Sequence, residues 1–273
     1  MTTRGSVDAV GPFQRGWPLR RVIIPFARGL RVLHRARAHG TDRIPRDQPV
    51  IFVGKHPRTY LYLETVMLGL FAFWDNDKPP IRVLERRGTS LHRTPLVGWM
   101  RRNVNTVPAT HEHALQVLRR GESILIYPGG TRELYGRPNE LRWTDRTGFA
   151  RLALEANVPI LPFAIIGADG QHPFRVRVGR SSIWLPPFPL PVKLDYWFGN
   201  LIPPTSATGH GVDPDDAARD LAEHVLRATR SLITEGLAAR RPAVEGAPSV
   251  YPSREQTARS REQAARSREQ AAR

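Results

Sequence analysis

The chain has 273 residues, with 41 Lys+Arg against 25 Asp+Glu and a formal net charge of +16 at neutral pH. An apolar fraction of 40% supports a sizeable core and excludes a wholly disordered chain. The absence of cysteine excludes a disulfide scaffold, a thiolate metal site and a cysteine nucleophile.

Residues 1–17 read as a loose leader that lacks the apolar stretch and small-residue cleavage site of a secretory signal. No apolar run is long enough for a simple transmembrane helix, so the expectation is a cytoplasmic protein. From Pro18, the residues Leu19, Val22, Ile23, Phe26, Leu30 and Leu33 recur at helical spacing, and Arg20, Arg21, Arg28, Arg31 and Arg35 fill much of the remaining surface. Pro25 and Gly29 are expected to bend or interrupt this helix. A basic amphipathic helix of this kind suits a membrane surface. The alternative is a helix packed on the domain with its arginines in water, and the two are compatible.

Between Ile44 and Arg241, short apolar runs alternate with helical patterns, which predicts an α/β domain. The expected strands are Pro49–Gly54, Ile81–Leu84, Asn103–Val107, Ser123–Tyr127, Pro159–Ile166 and Val192–Phe198. The expected helices are Leu61–Trp74, His111–Arg120, Asp145–Ala156 and Pro214–Leu237. Thr110 is placed to cap the second of these, and Asp213 precedes the last, with Asp215 and Asp216 in its first turn. Residues 242–252 read as a linker. The tail repeats SREQTAR, SREQAAR, SREQAAR, and its heptads offer nothing bulkier than alanine, so it is expected to be exposed or disordered rather than a coiled-coil seam.

Three stretches could carry chemistry. In VIFVGKHPRTYLYLETVMLG a buried-strand pattern ends at Gly54, and Lys55 and His56 sit on the turn before an apolar helix. A histidine there can act as a general base, although a lone histidine is more often structural. Glu64 is the only ionisable side chain in LYLETVMLGLFAFW; buried, it requires a partner such as an imidazolium at His56, and the alternative is that it points outward. In ILIYPGGTREL a strand runs into Gly129, Gly130, Thr131 and Arg132, where glycines allow close ligand approach and the arginine offers a fork suited to phosphate. The stretch RRGTSLHRTPLVGWMRRN interleaves Arg86, Arg87, Arg93, Arg101 and Arg102 with apolar residues, as a surface meeting both anions and acyl chains would, or as a solvated helix face would.

Several chemistries lack support. No GxSxG elbow, phosphate-loop motif or GxGxxG after a strand occurs. His111 and His113 are two apart, face apart on a helix and make a poor metal pair, so no metal site is expected.

Taken in order, these blocks resemble the glycerolipid (lysophospholipid) acyltransferase superfamily across about residues 38–240. GTDRIPRDQPVIFVGKH is similar to its lead-in strand and histidine motif, TPLVGWMRRNVNTVP to its second block, YPGGTREL to its third and VPILPFAI to its fourth. RTGFARLALEANVPILPF and VKLDYWFGNLIPP are further similar to the branch containing monoacylglycerol and diacylglycerol acyltransferase-like proteins. The resemblance implies an α/β fold: a single domain with a mixed, largely parallel sheet flanked by helices, preceded by the basic helix. The domain boundaries expected are 1–40 for leader and helix, 41–241 for the acyltransferase domain and 242–273 for linker and tail.

The resemblance also implies transfer of an acyl group from acyl-CoA or an acyl carrier protein, as co-substrate, to a hydroxyl of a lysophospholipid or glycerol-phosphate lipid. No other cofactor is expected. His56 would be the general base, Arg132 would grip the acceptor's phosphate, and Gly129, Gly130 and Thr131 would shape that pocket. Gly98 and Arg102 lie in the acceptor block, with Arg101 as the alternative to Arg102. Two positions depart from the family pattern. The aspartate usual five residues after the histidine is Leu61 here, which makes Glu64 the candidate equivalent. The glutamate usual before Gly-Thr-Arg is Gly129, closer to the neutral-acceptor branch. An acyltransferase for a neutral or glycolipid alcohol is therefore the second reading, followed by a basic nucleic-acid-binding protein and a catalytically dead lipid-binding relative. The partners expected are an anionic membrane surface, the acyl donor and the lipid acceptor, with no specific nucleic acid, and the expected location is the inner face of the membrane.

Overall fold

Strand β2 (Ile51–Gly54) is buried along its whole length, because apolar residues alternate onto two faces that are both covered. In the computed structural model, which describes residues 10–57, 63–74, 78, 80–85, 95–143, 145–178, 181–186, 189–207 and 213–240, this strand lies at the middle of a seven-stranded sheet. Two compact units divide the chain, Met1–Ala238 and Ala239–Arg273. The expected linker and repeat tail, and residues 1–9 of the leader, lie outside the described residues.

Along the chain, a π-helical turn (Leu19–Ile23) runs into helix α1 (Ile24–Leu33), followed by strand β1 (Arg37–His39) and β2. Helix α2 (Leu63–Gly69) continues as a π-helical stretch, Leu70–Trp74, before β3 (Ile81–Glu85). Then come α3 (Pro95–Asn103), β4 (Val107–Pro108), α4 (His111–Arg119), β5 (Ser123–Ile126), the single turn α5 (Thr131–Leu134), α6 (Gly148–Ala156) and β6 (Ile160–Ile166). A hairpin of β7 (Phe174–Val178) and β8 (Ser181–Leu185) precedes β9 (Asp195–Phe198) and the long α7 (Pro214–Ala238).

The strand order is β1-β9-β6-β2-β5-β3-β4. All neighbours pair parallel except β6 with β9, so the sheet is mixed and largely parallel, as expected. On one face Phe52, Leu125, Leu161 and Phe163 pack with Leu63, Met67 and Phe71. On the other, Ile51, Val53, Ile124 and Ile160 pack with Leu118, Phe149, Leu152, Leu221 and Val225 of α4, α6 and α7. Each fully buried side chain of this size contributes about 1.5–3 kcal/mol, and together they fix the strand register. From β2 the chain crosses to β3 on one side, and from β5 it crosses back to β6 on the other. The carboxyl ends of β2 and β5 thus flank a switch point, the place where open α/β sheets hold ligands.

Two expectations are corrected. Asn103–Val107 is not a strand: α3 runs through Asn103, Asn105 takes a left-handed φ of 58°, and only Val107–Pro108 pairs with β3. Pro108 has no N–H with which to extend the ladder. Gly29 does not interrupt its helix, whereas at Pro25 the helical run has just changed from the π-helical turn to α1 without ending. The caps form as expected: Thr110 Oγ1 accepts from the His113 N–H at 3.3 Å and Asp213 Oδ1 from the Asp215 N–H at 2.7 Å.

Residues 10–16 are not loose. The Val10 N–H donates to Gln116 Oε1 (3.1 Å), the Phe13 N–H to Glu122 Oε1 (2.9 Å) and the Gln14 N–H to Asn105 Oδ1 (2.9 Å). Arg82, in a buried 2.7 Å ion pair with Glu122, lies over the Phe13 ring. The helical run through the π-helical turn and α1 packs on the domain by one face, as one reading of its sequence expects. Leu19, Ile23, Ala27 and Leu30 are buried, the first three packing with Val66 and Leu70. Trp17, Val22, Phe26, Val32 and Leu33 face outward among the arginines.

Candidate active site

His56 follows β2 by two residues and stands at the carboxyl edge of the sheet, where a parallel strand must give way to a crossover. It is buried, yet it lines a cavity of about 980 Å³. Its Nδ1 lies 2.6 Å from the carbonyl oxygen of Pro57. A carbonyl only accepts, so Nδ1 carries the proton and the basic lone pair is on Nε2. Burial lowers the imidazole from its ordinary 6.5 to about 4, the Pro57 carbonyl opposing and the Lys55 charge adding to the shift. The ring is therefore neutral at pH 7, in the form a general base requires.

Lys55 is buried beside it. Its Nζ donates to both carboxylate oxygens of Asp169 (3.1 and 3.2 Å) and to the His56 carbonyl (3.3 Å). Asp169 Oδ2 also accepts from the Asn139 N–H at 2.7 Å. Tyr127, at the end of β5, sets its ring 5.0 Å from that of His56 and exchanges a 2.8 Å hydrogen bond with Thr65.

The turn after β5 enters the same cavity, which Gly129, Gly130 and Arg132 line together with His56, Thr65 and Tyr127. Gly130 has φ 51°, a conformation that suits glycine, and Arg132 is exposed at the rim. Thr131 starts α5, but its side chain lies outside the described residues. Helix α3 contributes Met100 to the wall, whereas Gly98 and Arg102 are not in the described lining and the Arg101 side chain lies outside the described residues. Further walls are apolar, among them Phe73, Trp74 and Val104, while Arg146 and Thr147 enter from the start of α6.

Glu64 does not point outward: it is fully buried on the first turn of α2. Its neighbours Thr65 and Val66 line the cavity, and its own carbonyl accepts from the Tyr196 hydroxyl at 3.0 Å. Burial, and after it the Glu64 charge, raises the Tyr196 phenol well above its ordinary value, so that phenol stays protonated. His111 and His113 turn to different partners, Glu155 Oε2 at 2.6 Å and Thr110 Oγ1 at 2.7 Å.

One acid escapes notice in the sequence. Glu133, fully buried in α5, accepts the His56 N–H on Oε2 (2.7 Å) and the Arg142 N–H on Oε1 (3.0 Å). Burial raises its pKa, while these two bonds and the Lys55 charge oppose the rise. Its carboxylate fills the space beside Gly129, where a Cβ would lie 2.6 Å from Oε1. The sequence signal was faint, since Glu133 sits in TREL like any acid in a helical turn.

Residues 35–166 match the family model described as Acyltransferase. Over this stretch, a little under half of its length, the chain is similar to the acyltransferase family. The chain is 27% identical over 215 residues to the Homo sapiens protein named DGAT1/2-independent enzyme synthesizing storage lipids, the match covering 74% of this chain. It spans only 62% of that relative's length. It is 29% identical over 83 residues to a Mycoplasma pneumoniae protein named Probable 1-acyl-sn-glycerol-3-phosphate acyltransferase, covering 30% of each chain. Among solved structures it is similar to the 1-acyl-sn-glycerophosphate (LPA) acyltransferase PlsC from Thermotoga maritima, at 17% identity and a TM-score of 0.49, covering 77% of this chain and 81% of that one. The acyltransferase match contains both the His56 turn and the Gly129–Arg132 turn.

Proposed function

We propose that this acyltransferase moves a fatty acyl group from a thioester, acyl-CoA or acyl carrier protein, to a hydroxyl of a lysophospholipid or glycerol-phosphate lipid. The observation that carries the reading is the neutral His56 imidazole, held by the Pro57 carbonyl with its lone pair on Nε2, in one cavity with Arg132. Nε2 takes the alcohol proton as the alcohol oxygen bonds to the thioester carbon. The tetrahedral intermediate collapses with loss of the thiolate, which recovers the proton from the imidazolium, and no cofactor beyond the co-substrate is needed. Arg132 anchors the acceptor's phosphate from the rim. Glu64 supplies the negative charge that offsets an imidazolium in this buried setting, so Glu64→Gln is expected to lose most turnover while fold and lipid binding persist.

Catalysis takes place at an anionic membrane surface, on which the outward ridge of α1 docks. Phe26, Val22 and Leu33 enter the interface while Arg20, Arg21 and Arg28 meet headgroups. Among the described residues no helix is long and apolar enough to cross a membrane.

A second reading, a neutral acceptor such as monoacylglycerol, is favoured by the Gly129–Gly130 pair and by the storage-lipid name of the human relative. Radiolabelled acyl-CoA offered in parallel with lysophosphatidic acid, monoacylglycerol and a long-chain alcohol separates the two. Preference for lysophosphatidic acid that Arg132→Ala abolishes supports the first reading. Preference for monoacylglycerol that survives this change supports the second, and transfer to none of the three refutes both.

A further inference from the structure

We infer that Glu133 is a positioning residue, the carboxylate that holds the catalytic turn and the arginine turn in register, and that it does so from a place a glutamate at position 129 could equally serve. The inference rests on the acyltransferase reading of the cavity.

A fully buried carboxylate is costly unless its oxygens are satisfied, and both Glu133 oxygens are, by backbone N–H groups of His56, far away in sequence, and of Arg142 in the following loop. One bond ends on the backbone of His56 itself, which fixes the turn whose Pro57 carbonyl sets the imidazole tautomer. The other ends on Arg142 and draws the 137–143 loop against the same point, a loop that Asp169 grips independently at Asn139. Because Glu133 follows Arg132 directly, the carboxylate also sets where that guanidinium leaves the turn at the cavity rim. It lines no part of the cavity, so its influence passes through His56 and Arg132.

The space is exclusive. A Cβ on residue 129 would lie within two carbon–carbon bond lengths of the Glu133 carboxyl carbon. A side chain at 129 and the carboxylate of Glu133 therefore cannot coexist unless both hydrogen bonds break. Conversely, a glutamate rooted at 129 brings its own carboxyl carbon to nearly the same point once Glu133 is shortened. Gly129 is not among the left-handed glycines, so its backbone accepts a side chain. This is the position at which the family resemblance expects glutamate.

The test uses the full chain with Glu133→Ala, Gly129→Ala and the double variant Gly129→Glu with Glu133→Ala. Two readouts are taken: kcat and KM for the acceptor that the wild type prefers, and amide hydrogen exchange at His56 and Arg142. Leaving the two N–H groups without acceptors should lower kcat about tenfold to a hundredfold, with KM little changed, and speed both exchanges by a similar factor. Gly129→Ala should do the same by displacing the carboxylate. The double variant should regain most of both losses, which loss of packing alone would not allow. Should Glu133→Ala not fold, Glu133→Gln takes its place, since it keeps the shape and one acceptor and must still speed exchange at one of the two amides. Unchanged exchange and kcat in the single variants, or a double variant no better than Glu133→Ala, overturns the inference. If the wild type transfers no acyl group, the functional reading fails, while the exchange arm still decides whether Glu133 holds the two turns.

Discussion

Acidifying the protein from neutral pH to pH 4 should reveal how far burial has weakened His56 as a base. Unfolded, the imidazole binds its proton near 6.5; folded, it does so only near 4. Between those values the unfolded chain holds more protons than the folded one, so stability is fully present above 6.5 and falls as pH drops towards 4. At about 1.4 kcal/mol per pH unit, the gap corresponds to about 3 kcal/mol from this one side chain. Urea unfolding of wild type and His56→Gln, followed from pH 7.5 to 4, isolates the contribution, because the other groups titrate in both proteins. The wild type should lose about 3 kcal/mol more than the variant over that range. The acid limb of kcat/KM should have its midpoint near 4 rather than 6.5. A limb at 6.5, or parallel stability curves for the two proteins, refutes the claim that the base is desolvated in the resting enzyme.

Asp169→Ala should destabilise the fold by about 3–5 kcal/mol in urea, because it strands the buried Lys55 charge and the Asn139 N–H. Lys55→Met combined with Asp169→Leu, which removes both charges, should cost clearly less. Gly54→Ala would put a Cβ 2.6 Å from the Phe163 ring at the end of the strand that carries His56. About 1–3 kcal/mol of stability and most of the turnover should be lost, and Phe163→Leu in the same chain should restore part of each. Changing Arg20, Arg21 and Arg28 together to glutamate should weaken sedimentation with anionic vesicles by about a hundredfold or more, at about 1 kcal/mol for each arginine neutralised. Binding to neutral vesicles should barely move; equal loss on both would locate the effect in the fold rather than in the headgroups.

The residues legible in the sequence are those whose chemistry leaves a local trace. The β2 run ending in Lys55 and His56, and the β5 run ending in Gly129–Arg132, each place an apolar strand against reactive residues, and the parallel sheet brings the two ends to one cavity. The burial of Glu64 was readable as one option because a lone acid interrupts an apolar helix. Glu133 was not readable, because its partners are backbone N–H groups, which every residue but proline carries. The Lys55–Asp169 pair was hidden for a different reason: 114 residues separate the two charges and nothing in either neighbourhood points to the other. Strand β1 leaves no apolar trace because Arg37 and His39 belong to an edge, where polar residues are tolerated. The β7–β8 hairpin does carry a local trace, since Phe174, Val176 and Val178 alternate with Arg175 and Arg177 in a plain two-residue rhythm.

The strap formed by residues 10–16 has a consequence for biosynthesis. Val10 and Phe13 emerge from the ribosome 106 and 109 residues ahead of Gln116 and Glu122, the side chains that receive them. At translation speeds of about 5–20 residues per second, that interval lasts about 5–20 s. Within that interval α2 is also made, and its Val66 supplies cover for the inner face of the helix that follows the strap. The strap therefore closes late, on a body that already contains β2 and the His56 turn.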